Sequence, residues 1–406
     1  MTAFPRVALF SDSHYEANGV ARTTSALEAY ASRRALPMLS VHAGPTTRHV
    51  IEGSLERLEL GRWGATSIGL EHDLSFDVAF WRHVGLVRRA LLRFKPDVLH
   101  FTGPSDVGQL AAYLGSTLRI PMVGSWHTNL HEYASRRLRL PWLPVRLGNG
   151  IRSASERGVL GICLLFYKLP KVVLAPNAEL GTLLESGTRR PVAYMTRGVD
   201  VSHFTPARRS AANGTVNIGY VGRLSPEKSV RMLGNVAQRL QAEGLGSQVR
   251  FTIVGEGAER AWLQAHLPNA TFTGVLRGDA LADTYADMDV FVCPSQTETV
   301  GNVALEAMAS GVPAVAMAQG GPRFVVGPGA GILAEDHPSM IESTVTLVRD
   351  RGRREVLAAA ARAWALTRSW DAVFDGVYRA YTTAVELAGD AESGLGEVST
   401  GQCVES

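Results

Sequence analysis

Cysteine is scarce in this sequence. The three present among 406 residues, Cys163, Cys293 and Cys403, stand far apart with no C-x-x-C pair. That excludes a disulfide framework and a cysteine-bound zinc site, and it fits a reducing compartment. Long apolar runs are missing too. The most apolar internal stretch, GVLGICLLFY at 158–167, falls well short of the roughly 20 residues a membrane-spanning helix needs. The opening MTAFPRVALFSDSHYE lacks the apolar core of a signal peptide. Net charge is only +3, too small an excess to argue for nucleic acid. The expectation is a cytoplasmic protein, with peripheral contact at the inner face of a membrane left open.

What is present is a globular composition, 46% hydrophobic and 19% charged. The length is enough for two cores. Short apolar runs alternate with helical patterns: RVALFSD (6–12), DVLHFTG (97–103), PMVGSWHT (121–128) and KVVLAPN (171–177). A turn-rich break at 196–215 follows. A second set then starts, with VNIGYVG (216–222), VRFTIVG (249–255), ATFTGV (270–275), DVFVCPS (289–295) and PAVAMA (313–318). Strands alternating with helices read as βαβ units of parallel sheets. The expected fold class is α/β, two Rossmann-like domains facing across a cleft. Residues 1–200 form an N-terminal domain and 201–368 a C-terminal one. Residues 369–388 form a helix returning to the N-terminal domain, and 389–406 a disordered tail.

The chemistry concentrates in ETVGNVALE, 298–306. After the strand DVFVCPS, a turn leads into the short helix NVALEAMAS, with Asn302 as its expected N-cap and Gly311 ending it. Val300, Gly301 and Asn302 then present free N–H groups at the positive end of the helix, a place for a phosphate. A carboxylate accepts only, so Glu306 suits the two hydroxyls of a ribose and Glu298 those of a further sugar. In GYVGRLSPEKSV (219–230), Gly222 ends a strand and Arg223 and Lys228 follow. Both suit a departing diphosphate. Each feature alone also fits a solvated surface residue.

Together ETVGNVALEAMASGVP, GRLSPEKS, IVGEGAER and FTGVLRGDALADTYADMDVFVCPS, in this order, resemble the donor-binding half of retaining family 4 glycosyltransferases, which have the GT-B fold and an E-x7-E motif. The resemblance implies that Glu306 holds the ribose and Glu298 the donor sugar. It implies that Arg223 and Lys228 stabilise the leaving diphosphate, that the Val300 and Gly301 amides touch the phosphate or sugar, and that Leu276 lies near the base. In the N-terminal half, Asn18-Gly19 stands where the family has two glycines, so Gly19 alone permits backbone approach to the diphosphate. His127, in SWHTN, matches a family histidine at the donor sugar. His14 is a further candidate for the same cleft.

The implied reaction moves a hexose from a UDP- or GDP-sugar to a lipid or glycan acceptor. It needs no cofactor and no metal. Transfer is retaining, and the departing diphosphate takes the acceptor's proton. Two alternatives stand beside it: a nucleotide-sugar epimerase or hydrolase of similar fold, and a non-catalytic nucleotide-sugar binder. Asp287-Met288-Asp289 looks like a metal-binding D-x-D but joins a helix end to a strand. VGEGAER lacks the third glycine of a dinucleotide fingerprint. The acceptor side is read from a basic cluster, Arg136, Arg137, Arg139 and Arg146, interleaved with Trp142. That mixture suits an anionic membrane surface and equally a solvated face.

Overall fold

The computed structural model describes residues 4–11, 14, 19–62, 67–71, 74–77, 79–127, 157–210, 214–296 and 301–398. The chain divides into two compact units, Met1–Thr196 with Val373–Ser406, and Arg197–Ala372.

Unit 1 is built on β1 (Val7–Ser11), β2 (Met38–Gly44), β3 (Arg48–Glu52), β4 (Leu55–Gly61), β7 (Val98–Phe101), β8 (Met122–Ser125), β9 (Val172–Ala175) and β10 (Val192–Tyr194). A separate antiparallel pair, β5 (Ser67–Glu71) and β6 (Leu74–Asp77), lies between them in sequence. The sheet runs β10-β9-β8-β7-β1-β2-β4-β3 and is parallel except for the edge pair β3–β4. Its central strands VALFS, VLHF, MVGS and VVLA are buried at every position, the pattern of strands covered on both faces. The edge strand RHVIE is exposed throughout and gives no apolar signal. The final helix, Trp370–Val398, belongs to this unit from Val373 onward. It docks through Phe374, Val377, Tyr378, Tyr381 and Ala384, all buried at helical spacing. The Tyr30 hydroxyl donates to Asp375 at 2.5 Å, and Arg34 pairs with Asp375 at 3.1 Å.

The expected disordered tail is corrected in part. The helix continues through Gly389 to Val398. Residues 389–398 contain no proline, and their glycines are isolated among helix-forming Ala, Glu and Leu, so nothing there stops a helix already docked upstream.

Unit 2 is one parallel sheet of β11 (Val216–Val221), β12 (Val249–Val254), β13 (Thr271–Gly274), β14 (Val290–Cys293), β15 (Ala314–Met317) and β16 (Gly331–Ala334), ordered β13-β12-β11-β14-β15-β16. The alternation of strand side chains separates two cores. Val290, Val292, Val315 and Met317 pack on one face with Ile218 and Ile253, while Phe291, Cys293, Ala314 and Ala316 pack on the other with Ala304, Leu305 and Met308. Part of the sequence break also folds here. Val199 and Phe204 are buried, and Phe204 meets Tyr285 edge-on at 5.6 Å. Arg362 donates to the carbonyls of Val201 and Phe204 at 3.0 and 2.9 Å.

Candidate active site

In unit 2 the strand order reverses between β11 and β14. Loops leaving adjacent strands in opposite directions open a crevice at their carboxyl ends, where open α/β sheets bind ligands. The candidate donor residues stand on the loops that leave these strands.

The loop after β11 is fixed by its backbone. Gly222 N–H donates to Val254 O at 3.0 Å, Leu224 N–H to Glu256 O at 2.9 Å and Glu259 N–H to Leu224 O at 2.9 Å. This approach requires glycine on the β12 loop. Gly255 has φ +130° and a Cβ there would lie 1.9 Å from Gly222 O, while one on Gly257 would lie 2.2 Å from Leu224 O. Arg223 projects from this fixed loop with its side chain 74% exposed and meets Glu227 at 3.5 Å. An exposed pair of that kind is worth at most about 1 kcal/mol, so a ligand anion displaces it cheaply. Lys228 closes the 3-10 turn Pro226–Lys228. It precedes the next α-helix, Met232–Ala242, and is not part of it.

After β14, Ser295 is buried and its Oγ reaches Glu227 O at 3.5 Å, tying this loop to the β11 loop. Glu298 and Val300 lie outside the described residues. The helix Asn302–Ala309 opens on Gly301, not on the expected Asn302 cap. Gly301 has φ +79°, and a Cβ there would sit 2.9 Å from Val325 and 3.1 Å from Pro322, so conformation and packing both select glycine. Asn302 becomes the first helical residue. Its Oδ1 is buried with no hydrogen-bond partner among the described residues, a state that folded proteins rarely leave unfilled. Glu306 follows one turn on, 8% exposed, and its Oε2 accepts the hydroxyl of buried Tyr285 at 3.1 Å. Leu276, half-buried after Gly274, packs against the core cluster that includes Tyr285. Tyr285 was not legible as a site residue. It reads as an ordinary apolar position of the helix Gly278–Ala286.

The declined D-x-D motif is structural. Asp287 accepts the Ser210 N–H and Oγ at 2.7 and 2.8 Å. Asp289 accepts Arg209 at 2.5 Å and the Asn217 N–H at 2.8 Å.

In unit 1, Gly19 is the first residue of the helix Gly19–Arg33, not a loop residue before it. His127 stands just beyond β8, half-buried, with Nε2 at 2.8 Å from Ser125 Oγ. Ser125 in turn lies 2.9 Å from His100 Nε2, and His100 Nδ1 lies 2.7 Å from the Tyr381 hydroxyl. His14 joins a different group. Its ring stacks on His42 at 4.0 Å and 12°, and its Nε2 is 3.3 Å from Glu28. Glu28 also accepts Ser40 at 2.5 Å and Arg57 at 2.8 Å. These three side chains approach metal-ligand spacing. Stacked rings, however, keep their lone pairs in parallel planes and do not aim them at one ion at the roughly 2.0–2.1 Å a zinc–imidazole bond requires. Arg57 already balances the Glu28 charge, so the group is an internal ion-pair network. The basic cluster Arg136, Arg137, Arg139, Trp142 and Arg146 lies outside the described residues.

Comparison with known proteins agrees with this architecture. Residues 215–350 match the family described as Glycosyl transferases group 1, and residues 56–203 match Glycosyltransferase Family 4. A GDP-mannose-dependent alpha-mannosyltransferase of Mycobacterium tuberculosis is 36% identical over 299 residues, 71% of this chain and 73% of the relative. Another of that description, from Mycolicibacterium smegmatis, is 33% identical over 329 residues, 78% of each chain. Among solved structures, sucrose-phosphate synthase from Thermosynechococcus elongatus shares the fold with a TM-score of 0.63 at 18% identity, covering 94% of this chain and all of that one. The chain belongs to the family 4 glycosyltransferases, and its fold is that of GT-B enzymes.

Proposed function

We propose that this glycosyltransferase takes mannose from GDP-mannose and transfers it, with retention at the anomeric carbon, to a lipid or lipid-linked glycan. The observation that carries the reading is the convergence of donor-binding groups on the β11 and β14 loops of unit 2. Glu306, buried and braced by Tyr285, accepts the ribose hydroxyls. Gly301 and the amino end of the helix Asn302–Ala309 receive the phosphate. Arg223 and Lys228 meet the charge that grows on the diphosphate as the glycosidic bond lengthens, the electrostatic share of catalysis. No metal is assigned to that task. Glu298 and His127 contact the mannose, Gly19 admits the diphosphate close to the backbone, and Leu276 lines the base. Mannose and GDP are chosen because both sequence relatives cited above are described as GDP-mannose-dependent.

In the reaction the bond from C1 to the β-phosphate oxygen breaks as the acceptor oxygen bonds to C1 from the same face. The acceptor proton passes to the departing GDP. No protein base is needed, and none of the candidate residues is assigned that part.

A membrane-facing acceptor is supported by the helical residues 157–166. Ile162 and Leu165 there, and Leu169 just beyond, are 71%, 65% and 46% exposed. The exposed Lys168 adjoins them, and the arginine-rich segment precedes them in sequence. An apolar stripe flanked by cations suits an anionic bilayer.

The test is transfer of radiolabelled mannose from GDP-mannose to a lipid extract, with the anomer of the product read by NMR. An α-mannolipid is expected. Release of free mannose without an acceptor product contradicts the reading. Partition onto anionic vesicles is expected to fall when Ile162 and Leu165 become Ser. Equal partition removes the membrane part.

A further inference from the structure

The hydrogen-bond chain behind His127 has a direction. Among the described residues, His100 Nδ1 is the one hydrogen-bond partner of the Tyr381 hydroxyl, at 2.7 Å. A buried hydroxyl that did not donate there would leave its proton without an acceptor, at a cost of about 1–3 kcal/mol. Tyr381 therefore donates, and Nδ1 of His100 accepts. A neutral imidazole carries one proton, so that of His100 is on Nε2 and donates to Ser125 Oγ at 2.9 Å. The Ser125 proton then has His127 Nε2, at 2.8 Å, as its acceptor.

We infer that Tyr381, acting through His100 and Ser125, holds His127 in the Nδ1–H form with Nε2 as an acceptor. Tyr381, His100 and Ser125 are thus positioning residues for His127. The inference rests on the reading above that His127 contacts the donor sugar, and it says which atom does so. Nε2 is occupied by the Ser125 hydroxyl and takes no proton from substrate, so any hydrogen bond the ring donates to a sugar oxygen comes from Nδ1–H. Protonating Nε2 would turn Ser125 into a double acceptor and leave its own hydrogen unplaced.

The buried setting supports this. His100 is fully buried, and burial pulls its pKa down to about 3, so it stays neutral. The Tyr167 hydroxyl fixes the backbone of Ser125 by donating to its carbonyl at 2.7 Å. Tyr381 comes from the docked final helix, which gives that helix a task beyond packing.

The test is heteronuclear NMR of the full-length protein with labelled histidine, which separates a protonated from a bare imidazole nitrogen. The His127 signal is assigned by its loss in His127→Gln. Wild type is expected to show Nδ1 protonated and Nε2 bare. In Tyr381→Phe and Ser125→Ala the pattern shifts towards Nε2–H, while Ser125→Thr, which keeps the hydroxyl, retains it. In GDP-mannose turnover, Tyr381→Phe lowers kcat about two- to tenfold with KM little changed, the loss of one neutral hydrogen bond. A wild-type protein with Nε2 protonated overturns the inference, as does a Tyr381→Phe protein that is folded and keeps the wild-type pattern. Unchanged turnover in His127→Gln sinks the sugar-contact reading instead, and the tautomer is still decided by the spectrum.

Discussion

The two units carry their candidate groups in opposite ways. Unit 2 places Arg223 and Lys228 on turns held by backbone hydrogen bonds and glycines, with the Arg223 side chain mostly exposed. Unit 1 places His127 at the end of a side-chain chain that runs through the buried Ser125 and His100 to the last helix. A group held by backbone can be deleted without harm to the fold. A group held by buried polar side chains cannot be separated from its supports.

The largest expected effect follows from the first half of this contrast. Arg223→Ala and Lys228→Ala should each lower kcat by about 10²–10³, as removal of one charge-stabilising donor does. Thermal stability of Arg223→Ala should move by no more than about 0.5 kcal/mol, the usual range for surface changes. A large loss of stability in that variant would show that the loop depends on the Arg223 side chain.

The second half predicts acid sensitivity. In unit 1, burial pulls His42 down to about 4 and His100 to about 3 from 6.5, and a nearby His14 charge adds to the effect on His42. For Glu28, burial pushes upward but is outweighed by hydrogen bonds from His14, Ser40 and Arg57, leaving it at about 2 against 4.5. The unfolded histidines take up protons below 6.5 while the folded ones do not. Their stability contribution is therefore complete above pH 6.5 and is lost as pH falls towards 4 and 3. The Glu28 contribution is complete above 4.5 and is lost on approach to about 2. Melting temperature should thus fall between neutral pH and about pH 5, and His42→Asn should flatten that fall. An unchanged slope in this variant contradicts the assignment.

The smallest effect concerns Asp289. Its loss leaves the Asn217 N–H and Arg209 without their carboxylate, costing about 1–3 kcal/mol of stability. Turnover of Asp289→Ala at low temperature should match wild type, and chelators should change neither protein. Activity lost in the variant and restored by a divalent ion would reinstate a metal role.

The same contrast explains what could be read from the sequence. All nine quoted strands appear; most are short apolar runs buried on both faces, while β13 is an edge strand with no fully buried position. β3 went unread because every residue of RHVIE is exposed. The site in unit 2 was legible because its parts are local: Gly222, Arg223 and Lys228 lie within seven residues of one strand end, and Gly301 to Glu306 within one short helix. Its supports were less so, since Tyr285 is 21 residues from Glu306. In unit 1, Ser125 ends β8 only two residues before His127, so this support is local in sequence. His100 and Tyr381 are 281 positions apart and meet only through the tertiary fold. The Asn302 cap was misread because side-chain preference pointed to Asn, while tight packing on Val325 and Pro322 required Gly301 at the turn.

The central claim is that Glu306 anchors a guanosine nucleotide in unit 2. It is tested most directly by thermal unfolding of wild type and Glu306→Ala with GDP, GDP-mannose and UDP. A ligand that binds only the folded protein raises its melting temperature. The account predicts a rise of several degrees with GDP and GDP-mannose, less with UDP, and a loss of the GDP effect in the variant corresponding to about 10- to 100-fold weaker binding, the worth of charged hydrogen bonds. Equal stabilisation of wild type and variant by GDP would contradict it.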